Sequence, residues 1–86
     1  MRLTRSRLAT LRLRAGYSTA QAGADALGIS RAHLLNIERG ATGPSEALLA
    51  RMAATYKVAL EVVATAVARA RYEMAERVME SQREAL

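Results

Sequence analysis

The chain has 86 residues, no cysteine, one histidine and a formal net charge of +5. One small domain is expected, with no disulfide framework, thiolate metal site or multi-histidine site, and no cofactor. No run approaches the roughly 20 apolar residues of a membrane helix, and the basic start Met1-Arg-Leu-Thr-Arg-Ser-Arg is followed by no apolar signal core, so the expected location is the cytoplasm.

Phenylalanine and tryptophan are absent, no period-two pattern appears, and the chain reads as all helix. A first helix is expected from Thr4 to Ala15, with Leu8 and Leu11 inward, Leu13 flanking and Gly16 closing it. Tyr17-Ser18-Thr19 connects to a second helix over Ala20–Leu27, for which Thr19 is a good N-cap. That helix is built from small residues, and its Gly23 costs about 1 kcal/mol of helix propensity relative to alanine, a cost that makes sense if the third helix crosses close by. Gly28 ends it. Ser30 caps a third helix whose Leu34 and Ile37, three apart, form a narrow buried seam, and Gly40 stops it. A short capped helix set tightly against its predecessor and carrying a polar outer face has the shape of a helix-turn-helix recognition helix; such a helix fits the DNA major groove. Ala41-Thr-Gly-Pro44 forms a loop. Ser45 caps a fourth helix with Glu46 in its first turn, Leu48, Leu49, Met52 and Ala53 on its apolar side and Tyr56 at its end. The link Tyr56-Lys57-Val58 carries no strong breaker. The fifth segment runs from Ala59 to Glu84 without Gly or Pro and spans nearly 40 Å at about 1.5 Å per residue. Its Leu60 and Val63 are expected to finish the core, while Val67, Ala70, Met74 and Val78, with Tyr72 and Met79, exceed what so small a domain covers and form a candidate dimer stripe. The division expected is a DNA-binding core over residues 1–60 and a long dimerisation helix over 61–86.

Charge is unevenly placed. Residues 1–44 hold seven arginines against Asp25 and Glu38, whereas residues 45–86 are balanced at six basic and six acidic residues. The whole excess sits in the half with the capped third helix, and all but one of the cations are arginine, the side chain suited to bidentate phosphate and guanine contacts.

The pattern Leu8-x-x-Leu11-Arg12, Ala15-Gly16-Tyr17-Ser18, Leu27-Gly28-Ile29-Ser30, Leu34-x-x-Ile37-Glu38-Arg39-Gly40 and Pro44-Ser45-x-x-Leu48-Leu49 resembles the Cro/CI-type (lambda-repressor-like, XRE) helix-turn-helix family over about residues 5 to 60. The resemblance implies an all-α, compact five-helix bundle, here with an extended C-terminal helix. It implies a buried ion pair, Arg12 with Glu38, tying the first helix to the third. It implies base reading by Arg31, Ala32, His33 and Asn36, with phosphate or solvent as the alternatives for His33; arginine matches guanine O6 and N7, and asparagine matches adenine N6 and N7. It implies backbone contacts from Thr19, Ser30, Arg39 and the loop Ala41-Thr42-Gly43. Two departures stand out. The glutamine that many members place just after the second helix's cap is Ala20 here, so Gln21 substitutes from a shifted direction or the clamp is lost. The connector Tyr17-Ser18-Thr19 is one residue longer than in the commonest members. Leu35, usually polar in the family, is either extra core or an apolar base contact.

The expected function is a sequence-specific DNA-binding transcriptional regulator, a repressor, working as a homodimer on a near-palindromic operator. The competing reading is an antitoxin-like or other interaction module whose C-terminal helix holds a toxin-like protein partner. With one histidine, one aspartate and no cysteine, an enzyme is not expected.

Overall fold

The computed structural model describes residues 6–85. Thr4, where the first helix was expected to begin, and Arg2 and Arg5 lie outside them. Within the described residues the order is α1 (Arg7–Arg14), α2 (Ala20–Leu27), α3 (Arg31–Glu38), α4 (Glu46–Tyr56) and α5 (Leu60–Ala85). The chain is all-α, five helices with a long C-terminal one.

Each of the first four helices starts on a hydroxyl that accepts a backbone N–H of the first turn. Ser6 takes Ala9, Thr19 takes Ala22, Ser30 takes His33 and Ser45 takes Leu48, all at 3.0–3.1 Å. Such caps contribute roughly 1 kcal/mol each, which matters for helices of eight residues that are too short to stand alone. Ser6 therefore sets the start of α1 at Arg7. The boundary after Tyr56 is made by Lys57, which adopts the left-handed conformation at φ 59° while its N–H and that of Val58 close on the Ala53 carbonyl. A lysine here accepts backbone strain that glycine would avoid, which is why no breaker marks the site in the sequence.

The core gathers one face of every helix: Leu8, Ala24, Leu27, Leu34, Ile37, Leu48, Met52, Tyr56 and Val63 are all buried. Leu11 and Val67 pack against its edge. Leu60 does not join it. It is 51% exposed at the start of α5, and Ala66 occupies the next inward position after Val63 instead. The seam on α5 continues through Ala70, buried beneath the turn after α3. Ala70 was expected in a dimer stripe; a second chain cannot reach it while that turn covers it. Beyond Met74, which is half-buried, residues 75–84 of α5 are exposed, and the molecule measures 44 × 26 × 20 Å.

One charged pair lies inside this core. Arg12 Nε donates to Glu38 Oε2 at 2.8 Å, its Nη2 reaches Glu38 Oε1 at 3.5 Å, and its Nη1 donates to the Tyr17 carbonyl at 2.9 Å. Both residues are buried. Gly23 makes room for them: a Cβ there would stand 2.6 Å from Arg12 Cδ and 3.2 Å from Leu34 Cδ2. The glycine in α2 thus serves the arginine from α1 first and the crossing of α3 second. The Arg12 stem is pinned by its three hydrogen bonds, so an alanine at position 23 displaces the ion pair rather than a free side-chain end.

Tyr56 packs beside this pair, its ring 6.3 Å from that of Tyr17. Its hydroxyl is buried with no hydrogen-bond partner among the described residues. Burial, then the Glu38 charge, push its pKa up from 10.0 to about 12.

Two outcomes follow. Glu38→Gln leaves the Arg12 charge buried without its counter-ion and destabilises the domain by ~3–5 kcal/mol in chemical denaturation, whereas the double change Arg12→Met, Glu38→Leu recovers most of that loss. Tyr56 is neutral in the folded state, so its share of stability is intact below pH 10 and is lost as pH rises toward about 12. Tyr56→Phe leaves stability at neutral pH within about 1 kcal/mol, because no bond is broken, and it flattens the alkaline decline of the thermal midpoint over that interval.

Candidate nucleic-acid interface

The helix-turn-helix unit is α2, the turn Gly28-Ile29-Ser30 and α3. It is closed from within by Leu27 and Leu34 and from behind by Arg51, whose Nη1 donates to the Leu27 carbonyl at 2.9 Å. That bond fills an end carbonyl of α2 and ties α4 to the turn. Arg51 was not anticipated from the sequence; it lies on the exposed side of α4 and only the three-dimensional crossing brings it to Leu27.

α3 is buried along Leu34, Ile37 and Glu38, while Arg31, Ala32 and His33 are exposed and Asn36 is half-exposed. All four expected base-reading positions therefore face outward on a helix that is held from three sides. Leu35 is half-buried and lines a groove between the C-terminal part of α3 and the distal half of α5, together with Ala9, Tyr72 and Met79. It belongs to neither the central core nor an isolated apolar tip.

The expected phosphate contacts are placed as follows. Thr19 and Ser30 spend their oxygens as acceptors on their own helix caps; what each keeps for an outside anion is its O–H. The amides of Ala20 and Gln21, and of Arg31 and Ala32, precede the capped one and belong to the positive ends of their helices. Gln21 donates from Nε2 to Asp25 Oδ1 at 2.8 Å on the exposed face of α2. It lies along its own helix, and a clamp on phosphate requires that bond to open. Arg39, Ala41, Thr42 and Gly43 are all exposed on the turn after α3. Ala41 and Thr42 fold back, their N–H groups donating to the Asn36 carbonyl at 2.9 and 3.4 Å.

α5 meets this same turn, which the sequence did not indicate. Gly40, at φ 84°, backs onto the Ala70 carbonyl so closely that a Cβ would collide with it. Arg77 Nη2 donates to the Arg39 carbonyl at 3.3 Å, a cation at a helix C-terminus. Arg71 Nη1 lies 3.1 Å from where a Cβ on Gly43 would stand. The surface around the end of α3 thus gathers Arg39, Arg71 and Arg77, with Arg31 at its start.

Among the described residues no helix is long and apolar enough to cross a membrane, and no cluster of His, Asp or Glu is arranged to hold a metal. No curated protein and no solved structure matches the chain. A family model described as a helix-turn-helix domain matches residues 5–66, through α1–α4 and into α5. With the capped α2–turn–α3 unit, the outward face of α3 and the Cro/CI-type pattern of its motifs, this match establishes that the chain belongs to the helix-turn-helix domain family.

Proposed function

We propose that the protein is a sequence-specific transcriptional regulator, a repressor, that binds a near-palindromic operator as a homodimer in the cytoplasm. The observation that carries this reading is the division of α3. Leu34, Ile37 and Glu38 hold it in the core, and Arg31, Ala32 and Asn36 are left on the outer face. A helix held so firmly presents its side chains with little further ordering cost on binding. Arg31 and Asn36 supply the bidentate donors for guanine and adenine, and Ala32 offers a methyl contact for thymine. His33 sits beside them on the solvent side, available to phosphate. The exposed amides at the starts of α2 and α3, with Thr19, Ser30, Arg39, Thr42 and Gly43, register the helix on the backbone.

Homodimerisation is assigned to the distal half of α5. Val67 packs on the core edge, Ala70 is covered and Met74 is half-buried, so the large apolar side chains left for a second copy are Tyr72 and Met79, 61% and 60% exposed on one face, and Val78, 49% exposed and about a third of a turn away. A two-fold pair would set two recognition helices in successive major grooves, about 34 Å apart. The groove beside Tyr72, Met79 and Leu35 also favours a second reading, in which this surface holds a small toxin-like protein; copurification of such a protein with the chain, in place of a self-pair, would select it.

In gel-shift titration with DNA from upstream of its own gene, a discrete complex is expected. Arg31→Ala and Asn36→Ala each weaken it by about 1–3 kcal/mol, roughly five- to 150-fold, without changing affinity for shuffled DNA. Equal affinity for both DNAs in the parent protein, with no effect of either change, contradicts the specific-regulator reading. In analytical ultracentrifugation the parent sediments as a dimer at micromolar concentration and the Tyr72→Glu, Met79→Glu double variant as a folded monomer; an unchanged dimer would remove this face from the interface.

A further inference from the structure

We infer that Arg71, carried by α5, is a phosphate-binding residue of the DNA interface, so that the long helix is part of the DNA-facing surface as well as of the proposed pairing surface. The inference rests on the DNA-binding reading above and goes beyond it, since no residue of α5 was assigned to DNA.

Three contacts register α5 on the turn after α3: Gly40 against the Ala70 carbonyl, Arg77 Nη2 on the Arg39 carbonyl at 3.3 Å, and Arg71 over Gly43. The first is backbone against backbone, and the glycine at φ 84° admits no side chain that could loosen it. The helix position next to Ala70 is therefore fixed, and Arg71 leaves it directly above Gly43, with Nη1 3.1 Å from that residue's Cβ position. The Gly43 N–H makes no hydrogen bond among the described residues, and neither does the Arg71 guanidinium.

The charge pattern of α5 singles out the same residue. Arg69 pairs with Glu73 at 3.2 Å. Arg77 has Glu73 and Glu80, and Arg83 has Glu80, within one helical turn. Arg71 has Val67, Ala68, Met74 and Ala75 at those spacings and no acid. An exposed guanidinium with no acid at helical spacing stands over Gly43, an exposed residue whose N–H is uncommitted, next in the chain to the exposed Thr42 with its hydroxyl. Those are the donors a phosphodiester oxygen takes, at the end of the helix that enters the groove.

The test is the salt dependence of binding, read by fluorescence anisotropy between about 50 and 200 mM KCl on a duplex from upstream of the gene and a shuffled duplex of equal length. Arg71→Gln is expected to lower the slope of log K against log salt by about 0.9 for each bound copy, about 1.8 for a dimer, the loss of one phosphate contact per copy, and to weaken both duplexes by the same factor, roughly three- to tenfold per copy. Arg71→Lys restores the slope, and the thermal midpoint is unchanged in both variants. Arg83→Gln, the same change of charge farther along α5, leaves the slope as in the parent. An unchanged slope in Arg71→Gln, or an equal fall in Arg83→Gln, overturns the assignment while the DNA reading stands. Absence of a parent complex with either duplex overturns both.

Discussion

The orientation of α3 depends on a charged pair buried where three helices meet. Arg12 leaves α1, passes the bare Cα of Gly23 in α2, and ends on Glu38 at the close of α3, with a third hydrogen bond to the Tyr17 carbonyl of the connector. Apolar packing through Leu34 and Ile37 decides which face of α3 is buried, but it tolerates sliding and rotation. A charge-assisted bond at 2.8 Å has a direction, and an unpaired member of the pair is costly in the core. The pair therefore acts as a register pin for a recognition helix that is only eight residues long. Its neighbours are adapted to it, from the glycine in α2 to Tyr56, whose hydroxyl is buried without a hydrogen-bond partner among the described residues and is held neutral by burial and by the Glu38 charge.

The second constraint is the close approach of Gly40 to Ala70. Through it, α5 both completes the core with Val63 and Ala66 and sets arginines around the turn after α3. The helix is amphipathic in two different ways along its length. Its first part turns an apolar seam inward; farther along, Tyr72, Val78 and Met79 are exposed among charged residues. A single helix thus links the proposed pairing surface to the proposed DNA-facing one, which would make operator spacing sensitive to how two copies meet.

Most of the local structure was legible because it rests on short-range rules. Thr19, Ser30 and Ser45 cap the helices they were read to cap, and the seams Leu34–Ile37 and Leu48–Met52 are buried. The ion pair was legible only through family resemblance, since nothing in the spacing of Arg12 and Glu38 brings them together. What escaped were features of long-range geometry or of tolerated strain. Leu60 keeps the right period yet lies outside the core, since α5 begins at the edge of the bundle. Ala70 looked like surplus surface because the turn that covers it is thirty residues away. Lys57 ends α4 in a conformation usually left to glycine. Arg51 and Arg71 touch carbonyl and loop positions that no periodicity specifies. The face proposed to read bases was recognisable as a pattern, and Arg31, Ala32, His33 and Asn36 lie on the outer side of α3, Asn36 half-exposed.

The measurement that bears most directly on the central claim is selection of DNA by the intact chain from a random duplex pool, followed by sequencing of what is retained. The account predicts enrichment of one motif with two-fold symmetry, its half-sites centred about 10 base pairs, one helical turn, apart. A retained pool with the composition of the starting one, at every salt concentration that permits binding, would contradict the assignment of α3 as a sequence-reading helix.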